Sequence, residues 1–316
     1  MKSKVVTATL LLFLGLAAPA AFGQVDVIRD QLVDDEERTK LGQTGMQFLS
    51  VSLDPRASAL GNAVTAVELN STAQLYNPAS LAFMQPSFDV SLGQNQWITD
   101  IKYMYGTAAF QAGNLGTIGV NVLSVDHGAV QQTVRTETNE KGYMDLGTIE
   151  PSALAVGGSY ARALTNRFAV GANVRYVRQD LGSAWLDFGN PDGGMAPSQD
   201  QLEKGTAVVD FGVLYRTGFK SLNFAVNVRN FSGEIQYAEQ SVELPLNFRI
   251  GLSMDMIDFA PQYQDTHSFQ LSVDATHPRA YEEQVKLGGE YVFMNTLSLR
   301  AGYTYPTDEE SVNLGA

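Results

Sequence analysis

From Phe168 to Tyr176 every second residue is apolar, with Phe168, Val170, Ala172, Val174 and Tyr176 separated by Ala169, Gly171, Asn173 and Arg175. Side chains of an extended strand point alternately to opposite faces, so this segment builds a sheet with one apolar and one polar surface. The pattern recurs. Phe248, Ile250, Leu252 and Met254 face away from Asn247, Arg249, Gly251 and Ser253, and Phe269, Leu271, Val273 and Ala275 face away from Ser268, Gln270, Ser272 and Asp274. Leu297, Leu299, Ala301, Tyr303 and Tyr305 separate in the same way from Ser298, Arg300, Gly302 and Thr304. The repeat is two residues, not 3.6, so the chain is all-β.

About eleven such segments are legible: Ser87–Trp97, Ile101–Gln111, Leu115–Val125, Ser152–Ala163, Asn166–Val177, Gly205–Thr217, Ser221–Phe231, Pro245–Met254, Ser268–Thr276, Glu283–Phe293 and Thr296–Tyr305. After the first hairpin their connections tend to alternate. Those after Gln111, Ala163, Thr217 and Phe293 are short, whereas Asp126–Pro151, Arg178–Lys204 and the stretch from Phe231 to Pro245 are long. Outer-membrane barrels join their strands by short periplasmic turns and longer extracellular loops. The connection from Met254 to Ser268 breaks this alternation, being long where a turn is due.

A soluble sandwich would turn its apolar faces inward, and a membrane barrel would turn them toward lipid. Charged residues make up 17% of the chain, against roughly 25% in ordinary soluble domains. A surface so poor in charge suits outer-membrane lipid. The first 23 residues read as a signal peptide, with Lys2 and Lys4, an apolar run from Val5 to Leu16, and cleavage near Gly23. No other continuous apolar run is long enough for a membrane helix, so a membrane form would have to be a barrel. The chain has no cysteine, which excludes a lipoprotein anchor and disulfides. Its net charge is −13, without basic stripes, which excludes nucleic acid as a partner. Residues 24–44 form an acidic extension carrying Asp34, Asp35, Glu36 and Glu37.

Residues 45–86 do not alternate and are rich in small residues, as suits a plug folded inside a barrel formed by residues 87–316. Phe48-Leu49, Arg56-Ala57, Leu60-Gly61-Asn62-Ala63 and the box Asn77-Pro78-Ala79-Ser80-Leu81 resemble the N-terminal signature of the PorV/PorQ family of outer-membrane proteins. That family is similar to the fatty-acid transporter FadL, whose N-terminal hatch has a similar Asn-Pro-Ala box. The resemblance implies a transmembrane antiparallel barrel of about fourteen strands. The segments counted here are about three fewer, and Val312 and Leu314 begin what looks like another strand, so the last strands are expected to be missing. Of the family's glycine-rich stretch, only Gly61 is carried over. The resemblance also implies association with the type IX secretion system and protein partners, either secretion components or exported cargo. In the box, Asn77 can bond nearby backbone while Pro78 fixes φ and Ala79 follows. Arg56, Gly61, Asn77, Pro78 and Ala79 are therefore candidates for a structural or gating role in the plug.

Arg175, Asp210, Arg229, Arg249, Asp274, Glu290 and Arg300 occupy polar-face positions and are expected to face the lumen, pairing across strands or with the plug and keeping the lumen wet. Leu181, Trp185, Leu186 and Phe188 lie in a long connection and are candidates to contact a partner or ligand. Enzyme chemistry is not expected. His127, His267 and His277 stand singly in or beside loops, without metal-ligand spacing and without a serine in view. Asp187, Asn190 and Asp192 lack calcium-loop spacing, and no cofactor is expected. The reading with most support is a docking or shuttle barrel for exported proteins, and the alternative is a FadL-like transporter of a hydrophobic small molecule.

Overall fold

The computed structural model describes residues 44–135, 140–186, 198–237, 240–307 and 311–316. The signal peptide, nearly all of the acidic extension, Phe188 and the Asp187, Asn190 and Asp192 loop lie outside the described residues. The strands are β1 (Phe88–Gln96), β2 (Lys102–Gln111), β3 (Thr117–Asp126), β4 (Val130–Arg135), β5 (Tyr143–Ile149), β6 (Ser152–Ala163), β7 (Phe168–Leu186) and β8 (Ser198–Arg216). There follow β9 (Asn223–Phe231), β10 (Ile235–Tyr237), β11 (Gln240–Val242), β12 (Asn247–Asp255), β13 (His267–Pro278), β14 (Gln284–Phe293), β15 (Leu297–Tyr305) and β16 (Val312–Gly315).

Twelve of them form one sheet in the order β1-β2-β3-β6-β7-β8-β9-β12-β13-β14-β15-β16. Each strand is antiparallel to the next, so the sheet is an up-and-down meander whose neighbours in sequence are neighbours in space. Among the described residues, β1 and β16 are its two edges. All eleven expected segments lie in this sheet, and β16 is the further strand that Val312 and Leu314 open.

The two faces separate as the alternation requires. Val120, Val122, Val156, Val174, Ile250, Leu252, Val273, Leu287 and Leu299 are exposed, and with Phe88, Phe110, Phe248 and Tyr305 they make a continuous apolar exterior. An uninterrupted apolar band of this extent belongs against lipid, since soluble monomers rarely expose more than a few hundred square ångströms of it. No helix among the described residues is long and apolar enough to cross a membrane. The inner face carries Asn121, Ser159, Asn173, Arg175, Asp210, Asn227 and Asp274, all buried.

The long connections are only partly loops. Residues Asp126–Pro151 contain an antiparallel ribbon, β4 with β5. Both described ends of the stretch Arg178–Lys204 are strand: β7 runs on to Leu186 and β8 starts at Ser198, with a register shift between Asp180 and Ser183 where Gly182 takes φ +82°. Leu181, Trp185 and Leu186 therefore sit on a strand that outgrows the sheet, not in a loop. Alternation fades there because a hairpin above the membrane has no lipid face to maintain. A third ribbon pairs β10 with β11. The turn from Met254 to Ser268 is compact, with two 3₁₀ turns at Met256–Phe259 and Pro261–Tyr263, and Asp255 accepts from Ile257 N at 2.9 Å and Phe269 N at 3.0 Å.

Candidate functional site

The interior of the sheet is filled by residues 45–84. Their local structure follows from capping chemistry. The short helix α1 (Pro55–Ala59) starts at Asp54, whose Oδ1 accepts from Ala57 N at 2.9 Å, with Pro55 at the first helical position. A 3₁₀ turn, Pro78–Phe83, starts the same way at Asn77, whose Oδ1 accepts from Ala79 N at 3.1 Å. The Asn77 amide also donates to Thr65 O at 2.9 Å and to Val213 O of β8 at 3.3 Å. One side chain thus caps a turn, joins two plug segments and ties both to the wall.

Polar ties from the plug reach β1 to β3, β6 to β9 and β12 to β14. Ser71 N donates to Asp89, Gln74 donates to Ala108 O, and Gln74 Oε1 accepts from Asn121 and Ser159. Asn173 donates to Gln74 O at 3.2 Å and to Asp210 at 3.0 Å, and Asp210 accepts from Arg175 at 2.9 Å. Glu68 pairs with Arg216 at 2.7 Å, and Asn223 donates to Glu68. Ser253 donates to Ala66 O at 2.7 Å. Thr65 donates to Asp274 through both its backbone N–H and its hydroxyl, at 3.0 and 2.6 Å. Arg56 donates to both oxygens of Glu290, at 2.9 and 2.7 Å, and Arg300 donates to Oε2 of the same carboxylate.

Between these ties the two backbones touch. A Cβ at Gly171 would lie 2.5 Å from Pro78 C and Ala79 N. One at Gly212 would strike Asn77 Oδ1, and one at Gly302 would strike Gly61 N. Gly119, Gly251 and Gly288 face Gln74, Thr65 and Leu60 in the same way. Glycine is required here by close approach, and Gly61 itself adopts φ +61° against Tyr303 N. This row of inward glycines was not singled out from the sequence, though it is visible there as glycine at polar-face positions of β7, β12 and β15.

All seven residues expected to face the lumen do point inward. They do not line water: Arg175, Asp210, Arg229, Arg249, Asp274 and Glu290 are buried and Arg300 is largely covered, because plug and wall pack against one another. Within this belt Arg175 with Asp210, Arg300 with Glu290, and Asp274 with Thr65 are structural tethers. His267 and His277 lie at the two ends of β13, His267 stacked on Tyr291 and bonded to its hydroxyl, and His277 beside Glu283.

At the rim opposite the short turns, the ribbons lean on one another. Tyr237 donates to Gln179 Oε1 at 3.2 Å, and Gln132 donates to Ser183 O. Partial burial of Tyr237 against this contact raises its phenol above the usual range. Glu283, in the connection before β14, is held below the ordinary carboxylate range by its own backbone N–H and by His277.

A twelve-stranded antiparallel sheet with an apolar exterior, a polar belt inside and a bonded N-terminal plug defines an outer-membrane β-barrel protein. The chain belongs to the PorV family: the profile described as "Type IX secretion system protein PorV" matches residues 34–272. Among solved structures it is similar to the Pseudomonas putida toluene transporter TodX, at 12% identity over 79% of this chain and 82% of that one, TM-score 0.50. A Pseudomonas aeruginosa FadL homologue is 14% identical over 83% of this chain and 82% of that one, TM-score 0.47. No curated protein matches the chain.

Proposed function

We propose that this protein is a docking component for proteins exported by the type IX secretion system, working through its rim ribbons, without enzymatic activity. Membership of the PorV family supports the system. The observation that carries the mode of action is the filled interior: with the plug bonded to so many strands, a partner has the rim to work with. The pairs β4 with β5 and β10 with β11 are two-stranded, so each presents backbone edges to which a strand of a partner's β-sandwich-like signal domain could add. Exposed Val130, Tyr143 and Met144 on the first ribbon supply apolar contact.

The test is capture of secretion components and exported cargo by the full-length protein solubilised from outer membranes. Retention by the native protein, and its loss when residues 130–149 are replaced by a short Gly-Ser turn, is the expected result. A native protein that captures neither, and instead co-purifies with lipid or aromatic hydrocarbon, would contradict docking and favour a carrier of hydrophobic small molecules.

A further inference from the structure

Among the described residues, Arg229 and Arg249 are cations that the belt's pairing leaves over, and Arg249 Nε is buried without a partner. Arg175 donates to Asp210 and to Asn230. Arg56 and Arg300 share Glu290. Arg249 lies opposite Thr276, one pleat from Asp274 on the adjacent strand. Arg229 is 8% exposed and, among the described residues, makes no hydrogen bond or ion pair. Its guanidinium carbon stands 5.7 Å from the centroid of the Tyr76 ring. Asp210, on the neighbouring strand, is already engaged, with Oδ1 accepting from Arg175 and Asn230 N and Oδ2 from Asn173. Arg229 also lies opposite Asn247, one pleat from Arg249, so the closest register neighbour of like kind is another cation.

Arg229 and Arg175 line one small cavity between plug and wall, and Arg175 Nε is buried there without a partner. Tyr76 and Asn121 supply the other polar edges, and Phe48 and Leu123 are among its apolar walls. The cavity measures about 10 Å³, room for a single water-sized particle. The Asp210 carboxylate acts on Arg229 through space but is shared with Arg175, Asn230 and Asn173, and an aromatic face compensates a covered guanidinium only in part.

We propose that this cavity is a binding site for one monovalent anion of halide size, held between the Arg229 guanidinium and the Arg175 Nε–H. The apolar walls leave no space for a polyatomic anion. Because Arg175 lies on β7 and Arg229 on β9, the ion would join two wall strands beneath the plug residue Tyr76.

Two measurements on the full-length protein in detergent test this. Thermal unfolding is compared in sodium chloride and in sodium gluconate at equal ionic strength, and crystals grown with bromide are examined for anomalous scattering. Chloride should raise the midpoint of the native protein by a few degrees over gluconate, the difference should vanish in Arg229→Met, and a bromide peak should lie between Arg175 and Arg229. Where Arg229→Met fails to fold, the bromide peak in the native protein decides. Absence of that peak overturns the proposal and assigns the cavity to water.

Discussion

The plug and the rim ribbons are both insertions around the same sheet, yet they are held by different means. Ala57, Ala63, Val64, Ala73, Ala79 and Leu81 of the plug have no exposed surface, and the plug backbone at Leu60, Gly61, Pro78 and Ala79 abuts glycines of the wall. The β4–β5 ribbon leaves Val130, Tyr143 and Met144 exposed and reaches the extended β7 through Gln132 to Ser183 O, whereas the β10–β11 ribbon seats Ile235 in the core beside the plug. Segments with few buried contacts open at low free energy, whereas segments woven through the core open only with the whole molecule. The plug should therefore rise and fall with the barrel, and the β4–β5 ribbon should move independently of it.

Substitutions can break that comparison at its most rigid point first. Gly171→Val drives its side chain into the Pro78 and Ala79 backbone, neither of which can yield, and should cost about 3 kcal/mol or more. Loss of the heat-modifiable folded band on electrophoresis would report it. Gly158→Val is the control: its Cβ meets nothing nearer than Gly119 O at 3.8 Å, so the barrel should survive. On the outer face, Val120→Arg places a charge in lipid near the middle of β3 and should destabilise by roughly 2–4 kcal/mol, measured by urea-driven unfolding in lipid vesicles. Asn77→Ala removes a cap and two ties and should cost about 2 kcal/mol by the same measurement. Replacing residues 130–149 with a short turn should change stability least, by about 1 kcal/mol or less, while removing partner capture.

The sheet was legible because lipid outside and the polar belt between plug and wall inside impose opposite chemistry on successive residues. Val174 and Arg175 declare their faces without reference to any other part of the chain. Alternation carries no such information above the membrane, which is why the extension of β7 through Leu181 reads as a loop. The belt was partly legible: Arg175 or Asp274 on a polar face points inward in any barrel. What each meets there was not. The Thr65 to Asp274 and Arg56 to Glu290 ties join residues more than two hundred positions apart, and no local pattern encodes them. The wall glycines could have been found by asking why glycine recurs at inward positions, where a wet lumen would tolerate any polar side chain.

Hydrogen exchange of the full-length protein in lipid nanodiscs, with and without a captured secretion partner, tests most directly whether the plug is fixed and the rim is the working surface. The account predicts that plug amides such as those of Ala57, Thr65 and Ala79 exchange as slowly as the wall strands and are unchanged by the partner. Amides of β4 and β5 should exchange quickly and become protected on binding. Fast exchange in the plug, or a partner effect confined to the plug, would contradict it.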